Sequence, residues 1–150
     1  MSRVTAAYTC ATTSGLRAPT PPNDAALAER YLQQISQLPL TIDQSSPQHQ
    51  RVAEQLAAAM RILRDEPRLA SACTRALLSA DDPVADVRTR IGAEIHRRVT
   101  AALGTGAWPE VVATLETMFW GALIQAQTQA WDYAGAADRL DTMVSLVLTD

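Results

Sequence analysis

A chain of 150 residues is long enough for one domain with a buried core and too short for two comfortable ones. Its net charge of −3 and isoelectric point of about 5.3 leave no positive field to gather phosphate or nucleic acid. The two cysteines, Cys10 and Cys73, lie far apart without C-x-x-C or Cys/His spacing, which excludes a disulfide framework and implies a reduced, cytoplasmic setting.

Residues 1–23 are rich in Thr, Ala, Ser and Pro, lack a helical period and close on a Pro-Pro block, so a disordered tail is expected there. No charged start followed by an apolar run marks a signal peptide. From Asp24 to Asp150 the pattern is helical almost throughout, as one all-α domain. A first helix over Asp24–Gln37 sets Leu27, Tyr31, Ile35 and Leu38 on one face. A second starts at Pro47, carries Val52, Leu56, Met60 and Leu63 inward, and stops before Pro67. A short third runs from Pro67 to Leu78 with Leu69, Cys73, Ala76 and Leu77. Asp82 and Pro83 then read as N-cap and first turn of a fourth helix that buries Val84, Val87, Ile91, Ile95 and Ala102 and ends at Gly104. Its other face carries Asp86, Arg90, Glu94, Arg97 and Arg98 at helical spacings, expected as a ladder of exposed ion pairs.

The fifth helix, expected over Pro109–Trp131, is apolar around roughly 240° where a one-sided surface helix needs about 100°. Such a helix must bury two faces, one within its own domain and one against a partner subunit or an apolar ligand. Glu116, Thr117, Gln125 and Gln127 interrupt it, so it would not span a bilayer. Gly135 is read as a chain break before a last helix carrying Leu140, Met143, Val144, Val147 and Leu148. Six helices with short connections predict an all-α helical bundle.

The segment EPRLASACTRALLSADDP, a long amphipathic helix, and then MFWGALIQAQTQAWDYAGAADRLDTMVSLVL resemble the carboxy-terminal domain of TetR-type transcriptional regulators. The landmarks are Pro67, Leu69, Ala72, Thr74, Arg75, Ala76 and Ala80-Asp81, then Trp131, Arg139, Leu140 and Asp141, spread over about Ala25 to Leu148. Among subgroups the chain is most similar to actinobacterial repressors of sterol and lipid catabolism. Its basic residues are all arginine and alanine abounds, which suits a GC-rich bacterial gene. The resemblance implies a domain that binds a small, often hydrophobic effector and forms a homodimer by packing its last two long helices against their twins as a four-helix bundle. Family members begin with a helix-turn-helix domain. Residues 1–23 hold no recognition helix and two arginines, Arg3 and Arg17, so no direct DNA contact is expected from this chain.

Trp120, Ile124, Trp131, Leu140, Met143, Val144 and Val147 are the candidate dimer interface, with ordinary intradomain core as the plainer reading. Met60, Ile91, Met118, Phe119 and Leu123 are candidates to line an effector cavity, although a Met or aromatic stripe is more often plain core. Arg88 lies off the charged ladder and is the candidate to hold the acidic group of an apolar acid or thioester; such an arginine more often reaches water or a structural partner. His49 and His96 have no ligand at metal spacing, and neither a nucleophile elbow nor a glycine-rich phosphate loop occurs, so neither catalysis, nor a cofactor, nor a metal is expected. A ligand-independent helical interaction module is the alternative to an effector domain, and a small helical enzyme the remote third.

Overall fold

A computed structural model describes residues 22–128 and 132–149, and among these every regular element is a helix. Six α-helices follow in order: α1 (Pro22–Gln37), α2 (Gln48–Asp65), α3 (Pro67–Leu78), α4 (Asp82–Leu103), α5 (Pro109–Gln127) and α6 (Tyr133–Val147), with a 3-10 turn at Gly104–Gly106 between α4 and α5. The all-α bundle expected from the periodicity is the observed fold. α2 and α4 form its centre. α1 and α3 pack on one side of that pair and on each other, whereas α6 lies against α2 and α5. One continuous core includes Tyr31, Ile35, Leu56, Met60, Leu63, Ile91, Ile95, Leu115, Phe119, Leu123, Leu140 and Val144.

Helix ends follow local chemistry, with instructive shifts. α1 starts at Pro22, two residues before the expected Asp24, because a first-turn position needs no backbone N–H. α3 keeps the bounds read from the sequence. α4 begins at Asp82, so its N-cap is Asp81 and not Asp82, and Asp81 makes no side-chain capping bond to it. Its carbonyl takes the first helical bonds from Val84 and Ala85, both at 3.1 Å. Gly135 does not break the chain. It sits in the first turn of α6, where its N–H donates to the Asp132 carboxylate at 2.6 Å as an N-cap. The expected end of α5 at Ala130 and Trp131, and the tail over residues 1–21, lie outside the described residues.

The largest departure concerns Arg98. Expected on an exposed ladder, it is 1% exposed and among the largest fully buried side chains. Its Nη2 donates to the carbonyls of Ile35 and Leu38, the latter at 2.7 Å, its Nη1 to Gln55 Oε1 at 3.0 Å and its Nε to Glu94 at 2.8 Å. A cation there meets the carbonyl end of α1, which has no basic residue of its own in its last turn. Glu94 is likewise largely covered, and Arg97 pairs with it at 2.6 Å. Burial pushes the Glu94 carboxyl up, but Arg97 and then Arg98 outweigh this and hold it below the usual range. The outer members of the ladder behave as expected, with Arg90 bridging Asp86 at 2.9 Å and Glu29 at 2.6 Å.

The carbonyl end of α4 is treated in the same way. Gln48 donates to the Leu103 carbonyl at 2.9 Å, and Arg51 to those of Ala102 at 2.9 Å and Ser46 at 2.7 Å. Gly104 leaves α4 at φ +62°, a conformation that favours glycine. At Gly106 the demand is space, since a Cβ would come within 2.2 Å of Gln48 Nε2. Replacing Gly106 by Ala should therefore push the Gln48 amide off the end of α4 and cost about 1 kcal/mol, read as a fall in melting temperature of roughly 2–4 °C. At the other end of α1, Asp24 is buried against Arg75 in a two-pronged pair at 2.6 Å. The hydrogen bond from Arg75 holds the Asp24 carboxyl below its ordinary value of 3.8 although burial opposes it. A group depressed on folding stabilises above its unfolded value and loses that contribution as pH falls through the folded one. Urea melts at several acid pH values should show a shallower loss below about pH 4 for Asp24→Asn than for the unsubstituted chain.

Candidate functional site

α5 is the most apolar of the helices, yet its apolar arc is only partly used inside the chain. Val112, Leu115, Phe119, Ala122, Leu123 and Ala126 are buried. Val111, Met118 and Trp120 are half-buried against the core, and Trp120 meets Phe119 edge-on with ring centres 5.0 Å apart. Ile124 is 36% exposed. A Cβ built on Gly121 meets nothing within 4 Å, so α5 is open to space at that position.

α6 repeats the pattern on a neighbouring surface. Ala136, Leu140, Val144 and Leu148, each four residues apart, form its buried stripe. Outside that stripe Leu146 is 72% and Val147 42% exposed, and Met143 is half-buried. Gly135, Asp138, Arg139, Thr142, Met143 and Leu146 line a groove of about 580 Å³ along the outer face of α6. Trp108, the residue that leads into α5, is 67% exposed. The last two helices thus carry their own core on one side and large apolar side chains in water on the other.

The expected interface set divides accordingly. Ile124 and Val147 lie on the outer surface, and Trp120 and Met143 at its edge. Leu140 and Val144, at 1% and 0% exposure, belong to the chain's own core and offer no area to a second copy. Four-residue spacing marks both as one face of α6 but does not say that this face turns inward. Trp131 lies outside the described residues. Leu146 and Trp108 were missed by the sequence reading: Leu146 lies in the apolar run MVSLVL, off the stripe of Leu140, Val144 and Leu148, and Trp108 precedes α5, off any helical stripe.

The expected effector set is placed differently. Met60, Ile91, Phe119 and Leu123 are 0–2% exposed members of the continuous core, and Met118 packs half-buried against it. Arg88 spends Nη1 on the carbonyl of Ser79, just beyond the end of α3. That is the structural use weighed against a ligand role, and it satisfies a carbonyl freed by the end of that helix. Two further clefts lie elsewhere, one of about 390 Å³ among Gln34, Gln37, Leu38, Ile62, Asp65 and Glu66, the other of about 460 Å³ between α2 and α6. None of the six effector candidates lines either of these clefts or the α6 groove.

His96 is exposed, and its Nδ1 lies 2.7 Å from Glu116 Oε1, linking α4 to α5. Among the described residues there is no group of three or more His, Cys, Asp or Glu placed to hold a metal, and no helix long and apolar enough to cross a membrane. Burial pushes the Cys73 thiol up to about 12, aided by the charge of Asp24, which makes it a poor nucleophile. Two leucines of α6 separate core from outer surface. Leu140→Ala should cost about 2–5 kcal/mol in urea unfolding, whereas Leu146→Ala should stay within about 0.5 kcal/mol for the unassociated chain.

No family model matches the chain, and no solved structure matches it significantly. It is similar to proteins named as uncharacterized HTH-type transcriptional regulators, from Mycobacterium bovis and from two strains of Mycobacterium tuberculosis. The identity is 46% over 124 residues, which cover 81% of this chain and 58% of each relative. Over most of its length, then, this all-α chain is similar in sequence to part of proteins named as bacterial transcriptional regulators, of whose length it spans rather more than half.

Proposed function

We propose that this chain is the dimer-forming, effector-responsive part of a TetR-type transcriptional regulator, working as a symmetric homodimer through the outer surfaces of α5 and α6. The observation that carries this reading is the set of apolar side chains left in water on those two helices, Ile124, Leu146 and Val147, with Trp108 just before α5. An apolar surface of that kind on consecutive, mutually packed helices is stabilised when a second copy covers it. The names of the similar proteins and the order of the helices point the same way. A net charge of −3 argues against the described helices gripping DNA, so DNA contact is assigned to a helix-turn-helix and not to this bundle.

The signal in this reading is a small hydrophobic effector, of the acidic or thioester lipid or sterol class, admitted between α4 and α5. Ile91 on α4 and Phe119 and Leu123 on α5 already fill one core. An apolar ligand must therefore displace packed side chains and move those helices, and that coupling is what a regulator needs. A filled core equally suits the second reading, a helical interaction module that needs no ligand.

Light scattering at micromolar concentration should give the mass of a dimer. Ile124→Glu combined with Leu146→Glu should give a monomer with unchanged helical circular dichroism, because both side chains are exposed in the single chain. A monomeric unsubstituted chain rejects the dimer. Melting against fatty acids, sterol derivatives and acyl thioesters separates the two readings. A true effector at about 100 times its dissociation constant adds about 2.7 kcal/mol and raises the midpoint; a flat response across the panel favours the interaction module.

A further inference from the structure

Two kinds of force hold the helices together. α5 and α6 reach the rest of the bundle chiefly through apolar side chains, with the exposed His96–Glu116 pair beside them. α1 is attached differently. Its fully buried apolar side chains are Ala28, Tyr31 and Ile35, and around them lies a ring of polar anchorages. Asp24 takes two bonds from Arg75 of α3 at 2.6 Å, and Glu29 pairs with Arg90 of α4 at 2.6 Å. Arg30 and Gln34 both bond Glu66, at 2.8 and 2.9 Å, and the Tyr31 hydroxyl donates to the Ala59 carbonyl at 3.2 Å. Arg98 closes the ring at the carbonyl end of α1. The extensive contacts of α1 are with α2, α3 and α4 and not with α5 or α6.

We propose that α1 is a releasable arm, docking and undocking as one unit on a bundle formed by α2–α6, with Arg98 as its latch. Among the arginines of that ring Arg98 alone is shut off from water, at 1% exposure, whereas Arg30, Arg75 and Arg90 are about half exposed. Without it, the carbonyl of Ile35 and the side chain of Gln55 lose a donor in a place water does not reach, and the part-buried carbonyl of Leu38 loses one as well. Those carbonyls recover hydrogen bonds when the end of α1 swings out to solvent. The loss is then confined to the burial of a few side chains on α1, while the α2–α6 and α5–α6 packing is untouched. Cys73 of α3, 2% exposed, lies in the same core cluster as Ala28, Tyr31 and Ile35 of α1, which packs most extensively on α3. Release of the arm uncovers that thiol, which supplies a local reporter. The device is independent of the proposed effector and dimer.

The test compares the unsubstituted chain with Arg98→Met, which keeps an unbranched side chain of similar length in the core. The readouts are peptide-resolved hydrogen exchange and the rate of Cys73 alkylation by N-ethylmaleimide, read on its own peptide. The expected result is about tenfold or greater acceleration of both exchange over residues 28–37 and Cys73 alkylation, with α5 and α6 changed by less than about twofold. Equal acceleration in α5 and α6 would show that Arg98 merely supports the whole fold, and an unchanged α1 would show that it is no latch; either result overturns the proposal. Should Arg98→Met fail to fold, Arg98→Lys, which keeps the charge but lacks the planar fork that reaches Ile35, Leu38 and Gln55 together, is read by the same two criteria, with the same results expected and the same results overturning it.

Discussion

The guanidinium of Arg98 has no water to charge against, so it takes its partners from the backbone of another helix. Burying a cation costs several kcal/mol unless its donors are met. Here the Ile35 and Leu38 carbonyls, Gln55 and Glu94 meet four of its five N–H donors. The same contacts answer a second problem, the carbonyls that an α-helix leaves without intrahelical donors at its end. Charge and chain end satisfy each other, and α1, α2 and α4 are thereby joined at one point. Arg51 and Gln48 do the same for the end of α4, and Arg88 for the carbonyl of Ser79. In a chain without lysine, the planar fork of arginine supplies caps that the helices lack in their own last turns.

That polar scaffold is concentrated in α1–α4. α5 and α6 are added to it by apolar packing, with the stripe of Ala136, Leu140, Val144 and Leu148 as the inner face of α6. The arrangement separates two tasks. One part of the bundle fixes where helices end and how they are oriented. The other presents apolar side chains outward on helices held chiefly by apolar packing, with the exposed His96–Glu116 pair beside it. A dimer seam on α5 and α6 is well served by such a division, since area buried there is not opposed by stripping water from ion pairs. The filled core limits the idea of a ready-made effector chamber, because Met60, Ile91, Phe119 and Leu123 occupy it themselves.

How much of this was legible in the sequence depends on the range of the interaction. Apolar residues three and four apart marked six helices, and prolines and capping residues marked most of their ends, because both signals act within one or two turns. Even Arg98 carried a signal. It lies three residues after Ile95 and seven after Ile91, both buried, so it stands on the apolar stripe of α4. Charge alone assigned it to the exposed face. Asp132 as the cap of α6 was equally readable, but Gly135 three residues later looked like a break until its N–H had an acceptor.

By itself the sequence determined an all-α chain, the order and approximate bounds of its helices, and the presence of more apolar surface on α5 than one core-facing stripe requires. These are consequences of local periodicity and local hydrogen bonding. Only the tertiary structure decided which apolar side of α6 turns inward, which arginine is buried, and that the expected effector residues close on one another in a packed core. Those outcomes rest on contacts between groups far apart in the chain, 63 residues for Arg98 and Ile35, and no pattern within a single helix specifies its partner.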